Sequence, residues 1–269
     1  MVEPFRFTMR ITAYILLLLV FMGCNADKKN DTKTEVFHLP IITVPPYKDT
    51  VKKNDMHSLR GWGGVFIGKF RFSTDSINFP YKPDTLFYKD YLEGNMWNIT
   101  EDTVNATGFE IIPNYSYMVA YSVWGEPPTY YYPVYVINET QTTKYFNGDG
   151  KEVFALEEAI DSSRKWRPIG RKGWNFCGNG LYGMKVHPSE YIMCLFPRCK
   201  GNYKTLMRIR FNICGTIYVS APFKGEINYD QFHFGKEGYD KWLAIEPSQY
   251  TCHLYFYDSR PLDYDKATN

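Results

Sequence analysis

The chain has 269 residues, of which 44% are hydrophobic and 22% charged, a composition that supports a packed core and excludes a wholly disordered chain. Its 31 Lys and Arg residues nearly balance 29 Asp and Glu residues. No basic block occurs, so nothing in the charge pattern indicates nucleic-acid binding.

Residues 1–23 have the layout of a secretory signal peptide. Arg10 precedes an apolar run over residues 11–22 that is too short to span a bilayer comfortably. Gly23 and Cys24 follow directly, and this arrangement resembles the lipobox of bacterial lipoproteins. The resemblance implies cleavage before Cys24, lipid attachment to its thiol and acylation of the new N-terminus.

Two alternatives stay open for this segment. Residues 1–8 add nothing to the signal, so Met9 is an alternative start. An ordinary cleaved signal peptide with a chance cysteine is the alternative to the lipobox. In the Gram-negative lipoproteins that the segment resembles, Asp after the cysteine retains the protein in the inner membrane. Asn25 therefore favours the outer membrane, and the sequence does not indicate which side the protein faces.

Residues 24–59 are predicted to form a lipidated tether. Residues 25–35 are almost wholly polar, and prolines interrupt residues 36–47, so the tether is expected to be flexible first and then stiffer. The short apolar segment Leu39–Val44 is expected to be able to dock on the domain as an edge strand. The folded region is expected to begin near Gly61.

Residues 60–130 are predicted to form a β-rich N-terminal part. Runs dense in strand-forming residues alternate there with clusters of Asn, Gly, Pro and Asp that predict turns. The predicted strands up to residue 138 are Val65–Ser73, Asp84–Tyr88, Met96–Thr100, Gly108–Ile112, Tyr117–Trp124 and Tyr130–Asn138.

The segment Lys204–Ile213 has the clearest strand pattern in the chain. Side chains of a strand alternate between its two faces. The pattern predicts a half-buried antiparallel strand with Ile209 and Phe211 in the core and Arg208 and Arg210 in water.

Further strands are predicted on both sides of this segment. Glu190–Pro197 is apolar, and the turn formers of Lys200–Asn202 connect it to the next strand, so residues 190–213 are expected to form a hairpin. Ile217–Ser220 and Tyr250–Tyr257 are further predicted strands, and Cys252 is expected on the core face of the latter.

Few helices are expected. Val153–Ile160 fits the helix and strand templates equally, and a short helix is predicted across Gly238–Ile245. The chain lacks the long amphipathic segments that a parallel sheet requires between strands. We therefore predict a mainly β fold, an antiparallel β-sandwich that is immunoglobulin-like over residues 131–260, with at most one or two short helices and a tail at residues 261–269. This part and residues 60–130 are compatible with a single domain.

Five cysteines follow Cys24, and an exported chain can form disulfides. The odd count leaves at least one of them unpaired. The absence of a C-x-x-C motif and the scattered histidines predict no zinc site, and no pattern indicates a cysteine nucleophile. We predict a structural role for all five: Cys177, Cys194, Cys199, Cys214 and Cys252.

No motif predicts catalysis, a cofactor or a metal. Glu157 and Glu158 are adjacent, so on a strand they would point to opposite faces, whereas two catalytic carboxylates must face each other across a cleft. Trp174–Gly183 is a candidate ligand loop, with a connecting loop as the favoured alternative. Tyr130–Tyr132 is a candidate aromatic patch with one face expected to be buried. Cys24 is the single predicted site residue.

The leading functional hypothesis is a lipid-anchored cell-envelope protein that acts as a non-catalytic binding or structural module. Its aromatic content of 18% motivates a first alternative, a carbohydrate-binding surface lipoprotein, although core packing is the favoured role for these aromatics. A second alternative is an envelope hydrolase whose site the sequence does not reveal. The expected partners are the membrane, through the N-terminal lipid, and a protein or glycan ligand, but no nucleic acid.

Overall fold

A computed structural model describes the residues 37–39, 41–43, 59–60, 66–69, 76–78, 92–93, 108–121, 129–149, 152–171, 181–213, 215–233 and 249–262. They all belong to one compact unit from Glu35 to Asn269. Several predictions concern residues outside this set: the signal segment, Cys24, the strands Asp84–Tyr88 and Met96–Thr100, Cys177, Cys214 and the helix Gly238–Ile245.

The described residues form eighteen β-strands and two short helices. The strands are β1 (Ile41–Thr43), β2 (Leu59–Arg60), β3 (Phe66–Lys69), β4 (Ser76–Asn78), β5 (Leu92–Glu93), β6 (Phe109–Pro113), β7 (Val119–Tyr121), β8 (Thr129–Asn138), β9 (Lys144–Asp149), β10 (Glu152–Val153), β11 (Ala155–Ile160), β12 (Trp166–Pro168), β13 (Gly170–Arg171), β14 (Leu181–Val186), β15 (Glu190–Pro197), β16 (Tyr203–Ile213), β17 (Thr216–Val219) and β18 (Phe223–Ile227). The helices are a 3₁₀ helix (Tyr229–Phe232) and α1 (Gln249–Phe256). The predicted mainly β fold is confirmed.

Two five-stranded antiparallel sheets dominate the described residues. The first sheet has the order β3-β15-β8-β6, and β7 also pairs with β8. The second sheet has the order β12-β11-β16-β17, and β18 also pairs with β16. Smaller sheets are the four-stranded β10-β9-β14-β5 and the parallel pairs β1-β4 and β2-β13.

The main core lies between the two five-stranded sheets. Alternate residues of β8 and β15 from the first sheet share one buried apolar cluster with alternate residues of β16 from the second. These residues are Tyr132, Val134, Val136, Ile192, Cys194, Phe196, Ile209, Phe211 and Ile213. The two sheets therefore pack face to face as an antiparallel sandwich, and immunoglobulin-like connectivity stays a prediction.

The first sheet is also buried on its other face. The remaining residues of β8 and β15 form a second apolar cluster, in which Phe37 lies 5.5 Å from Tyr135 and 5.0 Å from Tyr191 between ring centroids. Tyr131 belongs to this cluster and Tyr132 to the main core, so both are buried on opposite faces of β8.

The predicted tether contacts the folded unit. Phe37 packs on the first sheet, and β1 pairs in parallel with β4, with Ile42 opposite Ile77. Within the segment Leu39–Val44, for which docking as a strand was predicted, residues Ile41–Thr43 form a strand. The folded unit includes Phe37, upstream of the predicted start near Gly61.

The hairpin predicted for residues 190–213 is wrong. β15 pairs with β3 and β8 in the first sheet, whereas β16 pairs with β11, β17 and β18 in the second. The reason is burial: all eight residues of β15 are buried, so this strand needs cover on both faces, whereas β16 has one apolar face. The chain therefore crosses between the sheets after Pro197.

The alternation predicted for β16 is confirmed on its apolar side, since Ile209 and Phe211 have no exposed surface. The prediction that Arg208 and Arg210 lie in water is wrong, because both are half-buried: Arg208 packs against Glu158 and Trp166, and Arg210 contacts the C-terminal segment. The backbone oxygen of Tyr257 accepts a hydrogen bond of 2.8 Å from Arg210 Nε.

The strand predicted over Tyr250–Tyr257 is also wrong, because this segment forms α1. Cys252 and Phe256 are both buried against Leu156 of the second sheet, and their spacing of four residues is that of one helix face. In contrast, Val153–Ile160, which fitted both templates, contains β11, whose pairing with β12 and β16 selects the strand.

Candidate functional site

A surface groove with a volume of about 510 Å³ opens where the chain crosses between the sheets. Tyr115 and Arg198, which follow β6 and β15 of the first sheet, line it together with Lys204 of β16 and Lys224 of β18 in the second. The volume lies within the range of small-molecule sites. Both five-stranded sheets therefore contribute to the groove.

The pairing of β16 with β18 sets the charges of the groove. Lys204 lies opposite Glu226, and Leu206 lies opposite Lys224. Because side chains two residues apart share a face of a strand, these four groups share one face of the sheet. Among the residues that the structure describes, no carboxylate lies within ion-pair distance of either lysine, Glu226 included.

Arg198 is held rigidly at the groove. Its Nη1 donates a hydrogen bond of 2.5 Å to the backbone oxygen of Tyr115, and its Cζ lies 4.3 Å from the centre of the Tyr115 ring. The backbone N–H of Arg198 donates to the backbone oxygen of Tyr130 at 2.8 Å. A guanidinium has five N–H donors, so Arg198 keeps donors for a ligand while its position is fixed.

Gly225 fixes the floor of the groove. A Cβ atom on this residue would lie 2.1 Å from Sδ of Met207 and 3.4 Å from Cζ of Tyr115. Met207 is fully buried in the second sheet's apolar cluster, so it has little room to shift. A glycine is therefore required for β18 to approach so closely.

A buried carboxyl group lies deeper in the sandwich. Glu157 of β11 points into the space between the sheets, where its Oε1 accepts a hydrogen bond of 2.6 Å from the Tyr132 hydroxyl. Burial raises the pKa of Glu157 to about 8, and the hydrogen bond from Tyr132 opposes this shift only in part. At neutral pH the carboxyl group is therefore mostly protonated.

The three described cysteines after Cys24 are buried free thiols: Cys194, Cys199 and Cys252. Burial raises the pKa of each thiol, and the nearby Glu157 adds to the shift at Cys199. Since the thiolate is the reactive form, these groups are inert at neutral pH. The finding supports their predicted structural role.

The adjacent carboxyl groups of β11 do not face each other across a cleft. Glu157 faces Tyr132 in the core, whereas Glu158 faces Arg208 and Ser259 on the other side of the sheet, as their adjacency predicted. Across the described part of the chain, no group of three or more His, Cys, Asp or Glu residues is placed to hold a metal ion. None of the helices described here has the length and apolarity needed to cross a bilayer.

Aromatic side chains in the described part of the chain pack mainly inside. Its exposed large hydrophobic residues are Leu39, Tyr117, Met118, Leu206 and Val219, and Tyr117 is the one aromatic among them. This supports the structural interpretation of the aromatic content. Of the candidate loop Trp174–Gly183, residues 174–180 lie outside the described residues and the rest begins β14.

The groove is not visible in the sequence. The alternation of Lys204–Ile213 places Lys204 on the polar face of its strand, but no local pattern connects it with Arg198 or Lys224. These residues meet only through the crossing between sheets and the register of β16 with β18.

Comparison with known proteins does not assign a function. The chain matches no protein-family model, no curated protein and no solved structure.

Proposed function

We propose that this is a lipid-anchored cell-envelope protein whose folded part is a non-catalytic binding module, with the groove as its ligand site. The observation that carries the proposal is the presence of Arg198, Lys204 and Lys224 in one groove, with both lysines lacking an ion-pair partner among the described residues. Cations gathered in a cleft concentrate positive potential and attract anions. The ligand is therefore anionic.

The lipobox-like Gly23–Cys24 supports the anchored part of the proposal. A single acyl chain binds a membrane only weakly, whereas several chains hold firmly, since each buried methylene contributes about 0.8 kcal/mol. The stretch from Cys24 to Phe37, which packs on the first sheet, spans at most about 45 Å when extended. This length keeps the binding module near the membrane, with the outer membrane favoured.

The binding part is tested with the full-length protein in detergent and fluorescent dextran sulfate at low ionic strength. The double variant Lys204→Ala/Lys224→Ala should bind about tenfold more weakly, because two contacts to an anion are lost. Both lysines are exposed, so the fold should be retained.

The matched control is Lys200→Ala/Arg260→Ala, which removes the same charge from two exposed residues that do not line the groove. It should bind as the unaltered protein does. Equal weakening in the two double variants would show that net charge, and not the groove, attracts the polyanion.

A further inference from the structure

We infer that the ligand of the groove is an acidic saccharide, which carries both anionic groups and hydroxyl groups; this inference rests on the function proposed above. Its starting point is Glu226, which lines the groove together with Lys204 and Lys224. An ionised carboxylate accepts hydrogen bonds but cannot donate them, and it repels other anions. A ligand that fits must therefore place a donor, not a negative charge, at Glu226.

The position of Glu226 specifies where this donor must lie. It is directly opposite Lys204 across the ladder and two residues from Lys224 on the same strand, a separation of about 7 Å. The carboxylate therefore neighbours two cations on one face of the sheet, Lys204 across the ladder and Lys224 along the strand. Anionic substituents next to a free hydroxyl group match this arrangement, as in a sulfated, phosphorylated or uronate-containing sugar chain.

The apolar surface of the groove is too limited for a peptide that binds through buried anchors. Leu206 is 40% exposed and offers one small apolar patch. The Tyr115 ring is covered by Arg198 and packs against Tyr132 and Phe223, at 4.9 Å and 5.1 Å between centroids. Protein ligands obtain most of their affinity from aromatic and other large anchors in such pockets. An acidic peptide is therefore the disfavoured ligand.

The first experiment compares three probes on the full-length protein in detergent: dextran sulfate oligosaccharide, unsulfated dextran, and poly-glutamate with the same number of charges. Dextran sulfate should bind at least about tenfold more tightly than poly-glutamate, since its free hydroxyl groups can donate to Glu226. Unsulfated dextran should not compete. Equal affinity for the two polyanions would overturn the saccharide inference and leave the anion site intact.

The second experiment tests Glu226 itself. The variant Glu226→Gln removes the repulsion of a carboxylate-rich peptide and weakens the acceptor, so the preference for dextran sulfate over poly-glutamate should fall at least about threefold. The control Glu139→Gln, an exposed residue that does not line the groove, should keep the preference. An unchanged preference in Glu226→Gln would overturn the inference.

A third experiment distinguishes a membrane-bound saccharide from a free one. Vesicles that contain a sulfated glycolipid are compared with soluble dextran sulfate, each with and without Lys204→Ala/Lys224→Ala. Lysine-dependent binding to either probe supports an acidic saccharide and identifies its source as membrane-bound or free. If the double variant binds both the vesicles and dextran sulfate as tightly as the unaltered protein does, the proposed function is overturned.

Discussion

The hydroxyl group of Tyr132 donates a hydrogen bond of 2.6 Å to Glu157 and thereby joins the two sheets across their common core. Tyr132 belongs to β8 of the first sheet and Glu157 to β11 of the second. Both side chains are buried, so water cannot replace the bond when it is lost. This polar contact is therefore expected to influence stability more than its single hydrogen bond suggests.

The variant Glu157→Gln should remove a pH dependence of stability. The pKa of Glu157 is raised from 4.5 to about 8, so the folded protein holds a proton that the unfolded chain releases. The stability that the protonated Glu157 carboxyl group gives to the folded state is fully present below pH 4.5. It decreases as the pH rises and is lost above about pH 8. At about pH 9, the neutral Gln variant should be more stable than the unaltered protein by on the order of 2–4 kcal/mol.

Urea unfolding of both proteins between about pH 5 and about pH 9 measures this difference. The gap between the two free energies of unfolding should widen toward alkaline pH. Parallel curves across this range would mean that Glu157 is not a buried, protonated group.

The variant Tyr132→Phe keeps the ring in the core and removes only the hydroxyl group. It should lower the free energy of unfolding by about 1–3 kcal/mol, because the buried carboxyl group of Glu157 loses its donor. Thermal unfolding at about pH 6 measures the loss with Glu157 protonated. An unchanged midpoint would show that the sheets are joined by apolar packing alone.

The variant Arg208→Ala should destabilise the protein by about 2 kcal/mol, because it leaves the buried Glu158 carboxylate without its cation. Arg208 Nε donates to Glu158 Oε2 at 2.5 Å, and its guanidinium lies 4.2 Å from the centre of the Trp166 ring. Lys204→Ala, at the exposed end of the same strand face, is the control and should change stability by no more than about 0.5 kcal/mol. Equal midpoints in thermal unfolding would contradict the role of Arg208.

The variant Phe37→Ala should lower the free energy of unfolding by about 1–2 kcal/mol, since Phe37 packs edge-on against Tyr191 and is tilted on Tyr135. His38→Ala removes its exposed neighbour and should have no measurable effect. The comparison by urea unfolding shows whether the tether from Phe37 onward is part of the folded unit. Two identical unfolding curves would place its boundary after residue 38.

The variant Cys24→Ser tests the anchor. It should lose lipid labelling and leave the membrane fraction, because the acyl chains would no longer be attached. Fractionation after a high-salt wash measures the outcome. A serine variant that stays in the membrane fraction would refute the lipoprotein proposal without affecting the groove.

The sequence predicted those features that depend on local alternation. Ile209 and Phe211 were placed in the core because one polar residue separates them, and β-sheet pairing preserves this alternation. Local patterns could not reveal α1, because Cys252 and Phe256 share a face in a strand as well as in a helix. Their contact with Leu156 is with a distant β-strand, which no local pattern contains.

The groove could not be predicted because it is formed by residues that belong to different sheets. Arg198 is only six positions from Lys204, yet the two residues belong to the ends of different sheets. A hairpin between β15 and β16 would have placed them in one ladder. They belong to different sheets because β15 is buried on both faces, which requires a place inside the first sheet.

Because Tyr115 and Arg198 follow strands of one sheet and Lys204 and Lys224 belong to the other, the groove exists only while the two layers stay together. A ligand that contacts residues of both sheets would stabilise their packing against each other. Occupancy would raise the melting temperature in proportion to the logarithm of free ligand concentration once that concentration exceeds the dissociation constant. Thermal shift is consequently a direct screen for the ligand, and it requires no assumption about its chemistry.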